Sequence, residues 1–387
     1  MTGRGAVAAL AAFALSCSGR GAAGGTGGPG GTGGPGGTGG TGGDAPVIVD
    51  PSASALAQAA AKLQSGQWAI FKDADQNAGS ALSGTDSVNC DWMNKTDFWP
   101  GPAPGNGRIV FHTSPANTET PWYTVIYDER TDRWERAAGN LPLTVPGHAY
   151  DHNCVDPDGG RLYSAVYNDD ARILRFDIAA KTWLPDLTVA SDLRMGQEPA
   201  YSLVWHHEPA GLVWLSGAGK IAFWDRSAAT WTLVRGDVQV GEYHNVGAHN
   251  AMAGLTIVGG GNDSVALYAV FHDGTKMAAA ALAPAPPFGP FQIGFEGDSH
   301  GVLVAPHPSA RTFIFLTMTG ACWELDAGAA PAPSATARWT ACAPPIAPFT
   351  GDQATLNAFV VALPAYRALM YVKWLSLNAA TIALFRP

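Results

Sequence analysis

Apolar and polar positions alternate along residues 147–183 and divide this stretch into short strands separated by turns. The strand HNCVD leads into a turn at residues 156–160, RLYSAVY leads into the polar turn NDD, and RILRFDI leads into a short turn that ends at Trp183. Alternation with a period of two residues is typical of strands, and clusters of Asp, Asn and Gly mark the turns between them. The pattern therefore predicts an antiparallel unit of short strands that closes on an aromatic residue.

Weaker copies of this unit fill most of the chain. We place six units, at about residues 87–136, 147–183, 200–234, 242–282, 298–342 and 355–386. Repeated units of this length and composition predict an all-β fold, a six-bladed β-propeller. The alternative is a ring of seven blades, with a degenerate blade hidden in residues 68–91.

The sixth unit contains only three strands, so the ring needs a strand from elsewhere in the chain. Residues 67–72 (QWAIFK) form a β-rich run ahead of the first unit. We expect this N-terminal strand to complete the last blade and close the ring, which removes free sheet edges. The Ala-rich residues 52–63 before it predict a short helix.

The N-terminus resembles an export signal. Arg4 precedes an apolar run at residues 6–15, and Ala14 to Cys17 resembles a bacterial lipobox, although that motif prefers Leu where Ala14 stands. We therefore expect a signal peptide at residues 1–17 with lipidation of Cys17, and plain secretion is the alternative. Residues 18–44 are almost entirely Gly, Thr and Pro and predict a disordered linker, which leaves residues 45–387 for the propeller.

Composition narrows the possible partners. The 13 tryptophans and the 14% of charged residues fit a large buried core. The net charge is −9 and the sequence has no basic cluster, so we expect no nucleic-acid partner. No later run is apolar enough to cross a bilayer. We expect a monomer that is an outer-membrane or cell-surface lipoprotein, otherwise periplasmic or secreted, and that meets a membrane only through its lipid.

Four further cysteines suggest disulfides, because an even number in an exported chain is typical of oxidised pairs. Cys90 and Cys154 occupy matching points in the innermost strands of neighbouring units, and Cys322 and Cys342 flank a loop inside one unit. We predict the pairs Cys90–Cys154 and Cys322–Cys342. Four buried free thiols are the alternative.

A turn motif recurs in three units, as YDERTDRW at residues 127–134, FDIAAKTW at 176–183 and WDRSAATW at 224–231. The Asp starts a tight turn through its side chain and the Trp fills space between blades. This motif resembles the kelch repeat, and the resemblance implies a propeller like the central domain of galactose oxidase. The copper site of that enzyme needs ligands from an additional C-terminal domain, and this sequence ends with its sixth unit, so we do not expect that activity.

Residues at the start of each innermost strand face one another in a propeller, so they are the candidate site. Aligning the units brings together Asn89, the segment His148–His152, Tyr201 with Ser202, Tyr243 with His244, His300, and Asn357. We assign His148, Tyr150, His152, His244 and His300 as candidate catalytic residues, and Asn89, Tyr201, Tyr243 and Asn357 as candidate ligand-binding residues. His152, His244 and His300 would suit a divalent metal, the one cofactor expected, or acid–base chemistry near neutral pH.

The segment GHAYDHN has no close copy in the other units. His148, Tyr150 and His152 alternate along one strand face, whereas Asp151 points the other way and is expected to pair with a neighbouring blade. His206, His207, His112, His272 and His307 are interpreted as peripheral, with the first two in a solvated loop. Trp92, Phe98, Trp99 and Trp122 are candidates for stacking on sugar rings or for packing between blades.

The leading functional hypothesis is a binding module that takes a glycan or protein partner through the channel mouth. The alternative is a polysaccharide-active enzyme of the lyase type that uses the His/Tyr set. Inner-strand histidines that only bind channel water are the structural alternative to both.

Overall fold

The computed structural model describes residues 50, 53–82, 95–113, 123–137, 149, 151–166, 169–193, 200–216, 219–241, 243–293, 300–346, 358–376 and 379–387. All of them lie in a compact unit of Gly43–Pro387. The signal peptide, Cys17 and the linker predicted for residues 1–44 lie outside the described residues. No helix in the described part of the chain is both long and apolar enough to cross a membrane.

Short helices and a long strand precede the blades. These elements are helix α1 (Ala55–Ala61), strand β1 (Gln67–Asp75) and helix α2 (Gln76–Leu82). The first blade contains β2 (Asp97–Trp99), β3 (Arg108–Thr113), β4 (Tyr123–Asp128) and β5 (Arg133–Arg136). The second contains β6 (Asn153–Asp156), β7 (Arg161–Val166), β8 (Asp169–Asp177) and β9 (Thr182–Thr188).

The next two blades follow the same order. The third contains β10 (Ala200–His206), β11 (Gly211–Ser216), β12 (Lys220–Asp225) and β13 (Thr230–Arg235). The fourth contains β14 (Asn245–Asn250), β15 (Leu255–Gly260), β16 (Leu267–His272) and β17 (Met277–Ala281).

The last two blades each depart from the simple order. The fifth contains the two-residue β18 (Gln292–Ile293), which pairs in parallel with β19 (Gly301–Pro306), and then β20 (Phe313–Thr317), β21 (Cys322–Ala329) and β22 (Ala332–Ala341). The sixth contains β23 (Ala358–Leu363), a 3-10 turn (Pro364–Tyr366), β24 (Ala368–Ser376) and β25 (Ala379–Arg386), and β1 pairs with β25 as its outermost strand.

The innermost strands form a closed ring. Contacts run from β2 to β6, β10, β14, β19 and β23 in turn, and β23 contacts β2 again. The fold is therefore the predicted six-bladed β-propeller, with six separate sheets and the N-terminal strand closing the last one. The seven-blade alternative is excluded by this ring. We call the end at which the innermost strands begin the entry end, and the end at which they finish the exit end.

The recurring Asp–Trp motif forms the same hairpin in three blades. Asp128, Asp177 and Asp225 each accept a backbone N–H from the residue three positions later, at 2.8–3.2 Å. The residue four positions later has a positive φ in every case, between 52° and 55°. The Trp that follows then packs inward, as Trp134 does against Tyr127 at a ring separation of 5.1 Å. The three copies are therefore one conserved turn geometry within this chain.

Two close contacts show how tightly neighbouring blades pack. The side-chain amide of Asn153 both donates to and accepts from the backbone of His112, at 2.9 and 3.0 Å, and so joins the second blade to the first. At Gly247 in β14, an added Cβ would lie 2.5 Å from Ser202 Oγ and 2.7 Å from a methyl carbon of Val204. Glycine at this position therefore allows β14 to approach β10 near the axis.

The predicted helix at residues 52–63 is present as α1, and it is held against the ring by a buried carboxylate. Ser54 caps the helix by accepting the Ala57 N–H at 2.9 Å. Its hydroxyl also donates to Glu129, which accepts a second hydroxyl from Tyr366 and the Gly107 N–H. Glu129 thus joins the N-terminal segment to the first and sixth blades.

Two expectations need correction. The innermost strand of the first blade is Asp97–Trp99, whereas the sequence placed Asn89 and Cys90 in that strand, and both lie outside the described residues. Cys322–Cys342 is a disulfide, as predicted, and it joins β21 to the residue after β22. The predicted Cys90–Cys154 bond is wrong, because Cys154 is a buried free cysteine. Its thiol is a small apolar group in the buried cluster that also contains Tyr163 and Leu203, while Cys90 lies outside the described residues.

Replacing Trp68 tests the closure of the ring. Trp68 stacks on Phe385 at 4.4 Å and donates its indole N–H to the Ala343 carbonyl, which joins β1 to the fifth and sixth blades. Trp68→Ala should lower the free energy of unfolding by about 3–5 kcal/mol, because a large buried ring is lost. Denaturant titration followed by circular dichroism measures this. Ile70→Ala, on an exposed part of the same strand, is the control, and equal small effects in both variants would argue against closure by β1.

Candidate functional site

A cavity of about 350 Å³ lies at the exit end of the ring. Every innermost strand contributes to its wall. The strand residues are Asp97 and Phe98 from β2, Val155 from β6, Val204 and Trp205 from β10, His249 and Asn250 from β14, Pro306 from β19, and Ala362 from β23. Because all six blades meet there, the cavity is the mouth of the central channel. Its volume falls in the range of pockets that hold small ligands.

Most of the cavity wall is apolar, with a few polar side chains among the apolar ones. The titratable side chains are Asp97, Asp158, His207, His249 and His307. No lysine or arginine is among the described lining residues. The wall therefore offers carboxylates and imidazoles and no fixed positive charge.

Two of the nearby histidines are held in a closed hydrogen-bond chain. His249 Nε2 accepts the His207 backbone N–H at 3.2 Å, so the ring proton of His249 lies on Nδ1 and is donated to Thr256 Oγ1 at 2.9 Å. The Thr256 hydroxyl in turn donates to His206 Nδ1 at 2.8 Å. His206 Nε2 then donates to the Glu208 carbonyl at 3.0 Å.

This chain uses every ring nitrogen of His206 and His249 while both rings are neutral. Burial lowers the pKa of His206 to about 4, and burial together with the two neighbouring histidines places the pKa of His249 well below its usual value. Both residues therefore act as scaffold. Their lone pairs are committed, so neither is placed to bind a ligand or metal.

His207 and His307 differ from that pair because each presents a ring nitrogen without a described partner. The His207 ring stacks on His249 with a centroid separation of 5.0 Å, and none of its ring nitrogens bonds to a described residue. His307 Nδ1 accepts the Ser309 N–H at 3.1 Å, which places the ring proton on Nε2. Burial lowers the pKa of both side chains, so both are neutral at pH 7.

Asp97 is the carboxylate on the innermost strand of the first blade. Its Oδ2 accepts the Val155 N–H at 3.1 Å, which fixes the side chain across the junction of the first and second blades. Burial raises the pKa of Asp97, and the positive charge of Lys95 and the hydrogen bond from the Val155 N–H oppose that rise, with a smaller influence from His207. Asp97 therefore lies within electrostatic reach of both a buried cation and a cavity-lining imidazole.

A buried ion pair crosses the channel on the entry side of Asp97. Lys95 Nζ donates to the Leu203 carbonyl at 2.6 Å and lies 3.5 Å from Asp151 Oδ2. Asp151 also accepts the Ser202 hydroxyl. Lys95 belongs to the first blade and Leu203 to the third, so this side chain reaches across the axis past the second blade.

Burial and charge act in opposite directions on the Asp151 carboxyl. Burial raises its pKa to about 7, although Lys95 and the Ser202 hydroxyl act to lower it. The expectation that Asp151 pairs with a neighbouring blade is thus confirmed, with partners in two blades.

The residues proposed from sequence do not share this cavity. His152 is fully buried. His244 and Tyr243 are half-buried at the entry end, where His244 Nδ1 bonds to Asn262 Oδ1 at 2.7 Å, and His300 is half-buried just before β19. Tyr201 lies in β10. His148, Tyr150, Asn89, Asn357, Trp92 and Trp122 lie outside the described residues.

The predicted metal group is not formed by its three candidates. Among the described residues, which include His152, His244 and His300, no three side chains of His, Cys, Asp or Glu are grouped so as to hold a metal ion. The physical reason is their separate environments: His152 is enclosed in the core, and His244 is bonded to Asn262 at the entry end.

Sequence reasoning missed the titratable residues that line the exit cavity. His206 is fully buried at the end of β10, and His207 and His307 line the cavity, so the interpretation of all three as peripheral is wrong. Phe98, a candidate for stacking on a sugar, does line it, whereas Trp99 packs beneath Gly160. The available signal was position: His207, His249 and His307 all lie at or just after the ends of innermost strands, whereas Asp97 begins the three-residue β2.

Comparison with known proteins supports the fold and does not identify the chemistry of the site. No protein-family model matches the chain, and no curated protein is similar to it in sequence. In structure, it is similar to a structural genomics protein of unknown function from Bacteroides thetaiotaomicron VPI-5482, with a TM-score of 0.50 and 10% identity. The match covers 82% of this chain and 76% of that chain. A likeness at this identity shows the shared propeller fold alone.

Replacing Lys95 tests the buried pair through its pH dependence. Because the folded-state pKa of Asp151 lies above the unfolded value, folding stability falls as the pH rises from about 4 through the folded pKa. Lys95→Met removes the positive charge that lowers the pKa of Asp151, so this pKa should rise further. The loss of folding stability with rising pH should then continue to higher pH. We expect the variant to lose about 3 kcal/mol of unfolding free energy at pH 8 and much less at pH 5.

Urea titrations of the two proteins at both pH values measure this difference. Lys62→Met, at an exposed lysine of the N-terminal segment, is the control and should show no such pH dependence. An equal loss at pH 5 and pH 8 in Lys95→Met would contradict a charge-pair role.

Proposed function

We propose that this protein is a glycan-binding module that holds a saccharide unit in the cavity at the exit end of its propeller. The observation that carries the proposal is the cavity itself, built by one strand from each of six blades, with polar side chains set between apolar walls. Sites on rigid strands hold side chains in fixed positions, so little ordering is needed on binding. A small concave pocket suits a sugar unit better than a flat protein surface.

The lining matches the two kinds of surface that a sugar presents. A saccharide ring has apolar C–H faces and a rim of hydroxyl groups that donate and accept hydrogen bonds. Phe98, Trp205 and Met252 supply apolar wall. The Asp97 carboxylate accepts hydrogen bonds, and the Nε2–H of His307 donates one. The hydroxyl groups of a sugar can therefore satisfy both groups.

The lyase alternative has weaker support from the geometry. A lyase that acts on a uronate must neutralise the substrate carboxylate, and the described lining of the cavity has two carboxylates and no lysine or arginine. The histidines proposed for that chemistry are either enclosed in the core, as His152 is, or lie toward the entry end. Binding is therefore the function that the arrangement favours.

We also propose that the protein is exported, with a kelch-type propeller tethered by a lipid at Cys17. The Cys322–Cys342 disulfide supports an oxidising compartment. The identical positive-φ position in three Asp–Trp hairpins supports the kelch type. If Cys17 carries the lipid, Cys17→Ala should remove the protein from the membrane fraction. Cys154→Ala should leave it there.

Blocking the cavity tests the proposed function. Ala251 lies exposed in the turn at the cavity rim, so Ala251→Phe should narrow the mouth and leave the fold intact. On an array of neutral oligosaccharides, the unmodified protein should bind at least one glycan, and the variant should bind it at least about 10-fold more weakly. Calorimetric titration of the best glycan gives the two dissociation constants.

Ala228→Phe is the matched control, because Ala228 is an exposed turn residue on the outer side of the third blade. This variant should bind like the unmodified protein. Absence of any glycan binding, or equal binding by Ala251→Phe, would contradict the proposal.

A further inference from the structure

We propose that the saccharide unit held in the exit cavity carries a free, protonated amine, so that the ligand is a basic amino sugar. This inference rests on the proposed function and names the ligand class of the same site. It is derived from the balance of charges and hydrogen-bond donors around the cavity.

The first observation is an uncompensated carboxylate at the rim. Asp158 is exposed in the turn between β6 and β7, and its carboxylate has no hydrogen-bond or ion-pair partner in the described part of the chain. Its neighbour Asp156 differs, because Arg226 lies 2.8 Å from that carboxylate and neutralises it. The negative charge that faces the cavity from this turn is therefore that of Asp158.

The second carboxylate lies deeper, on the innermost strand. Only one oxygen of Asp97 is bonded to a residue that the structure describes, through the Val155 N–H. The nearby cation, Lys95, already donates to Leu203 and pairs with Asp151. Among the described residues around the cavity, the carboxylates of Asp97 and Asp158 are therefore opposed by one buried lysine, Lys95, which is shared with Asp151. Low-dielectric walls focus such a field, which attracts cations and repels anions.

An independent observation shows that the cavity is built to meet a polar ligand. His307 is only 8% exposed, yet it lines the cavity, and its Nε2–H has no partner among the described residues. A donor held in this way needs an acceptor, which an ammonium group cannot supply and a sugar hydroxyl can. Carboxylates that accept and an imidazole that donates together match a molecule that carries both an ammonium and hydroxyl groups.

The neutral imidazoles also favour a positively charged ligand. Burial lowers the pKa of His207 and of His307, so neither adds a positive charge at pH 7 that would repel an amine. An N-acetylated sugar carries an uncharged amide where the amino sugar carries its ammonium group. A uronate carries a negative charge, which the two carboxylates of the cavity repel. The affinity should therefore decrease from the amino sugar to the neutral sugar and then to the uronate.

The test compares matched tetrasaccharides by calorimetric titration at pH 6.5 and low salt. The probes are β-1,4-linked tetramers of glucosamine, N-acetylglucosamine, glucose and glucuronate. We expect the glucosamine tetramer to bind at least about 10-fold more tightly than the glucose and N-acetylglucosamine tetramers, because charge-assisted hydrogen bonds are the stronger ones. Raising the salt to about 0.5 M should reduce this preference, since the rim charge is screened.

Variants assign the preference to the carboxylates. Asp158→Asn and Asp97→Asn should each reduce the ratio of the glucosamine to the glucose affinity by about 5-fold or more. Asp263→Asn makes the same change of charge in an exposed turn at the entry end of the fourth blade and should leave the ratio unchanged. Thermal unfolding of each variant checks that the fold is retained.

The outcomes separate this inference from the proposed function. Equal binding of the glucosamine and glucose tetramers, or tighter binding of the glucuronate tetramer, would overturn the amine preference while leaving glycan binding in place. Binding of no tetramer, together with no binding on the neutral array, would remove the proposed function and this inference with it. A preference that survives Asp158→Asn and Asp97→Asn would show that the carboxylates do not cause it.

Discussion

Closure of the ring is the constraint on which the rest of this structure depends. Six sheets can share one axis only if each innermost strand contacts two neighbours, and here the contacts return from β23 to β2. The last blade lacks an outer strand until β1 pairs with β25. The chain therefore joins β1, which precedes the blades, to its last strand in one sheet. Trp68 stacks on Phe385 in that sheet, and Glu129 bonds Ser54 of the N-terminal segment and Tyr366 of the sixth blade. A closed ring in turn fixes the six strand ends that form the cavity.

Closing the ring brings charged groups together near its axis, and Lys95 balances much of that charge. Its ammonium bonds a carbonyl of the third blade and pairs with the carboxylate that precedes the second. A buried ion pair of this kind contributes little net stability, but removing one partner leaves an uncompensated charge. The pair therefore acts mainly to set geometry. Because Lys95 is committed to these partners, Asp97 is only partly neutralised.

The fold was predictable from local patterns because each blade repeats its own signals. Alternation in β7 and β8, the Asp–Trp turns and the isolated run at residues 67–72 all act over a few residues, and all were interpreted correctly. The innermost strand of the first blade was misplaced because β2 has only three residues, too few for alternation to identify. The Cys90–Cys154 pairing failed for a related reason, since it depended on that misplaced register.

The site was harder to predict because it depends on which end of the channel is open. Histidines stand at both ends of the innermost strands, and sequence spacing does not distinguish the enclosed His152 from the cavity-lining His307. The environment of each histidine depends on contacts between blades, as the hydrogen bond between His206 and Thr256 illustrates. That contact joins residues 50 positions apart and leaves no local pattern.

Hydrogen exchange with and without a bound saccharide tests most directly whether the exit cavity is the binding site. At a saturating concentration of the best-bound glycan, amides in the exit-end turns at residues 207–210, 251–254 and 307–312 should exchange more slowly. Amides around Tyr243, His244 and His300, at the entry end, should exchange as in the free protein. Slower exchange at the entry end, with no change at the exit end, would contradict the account.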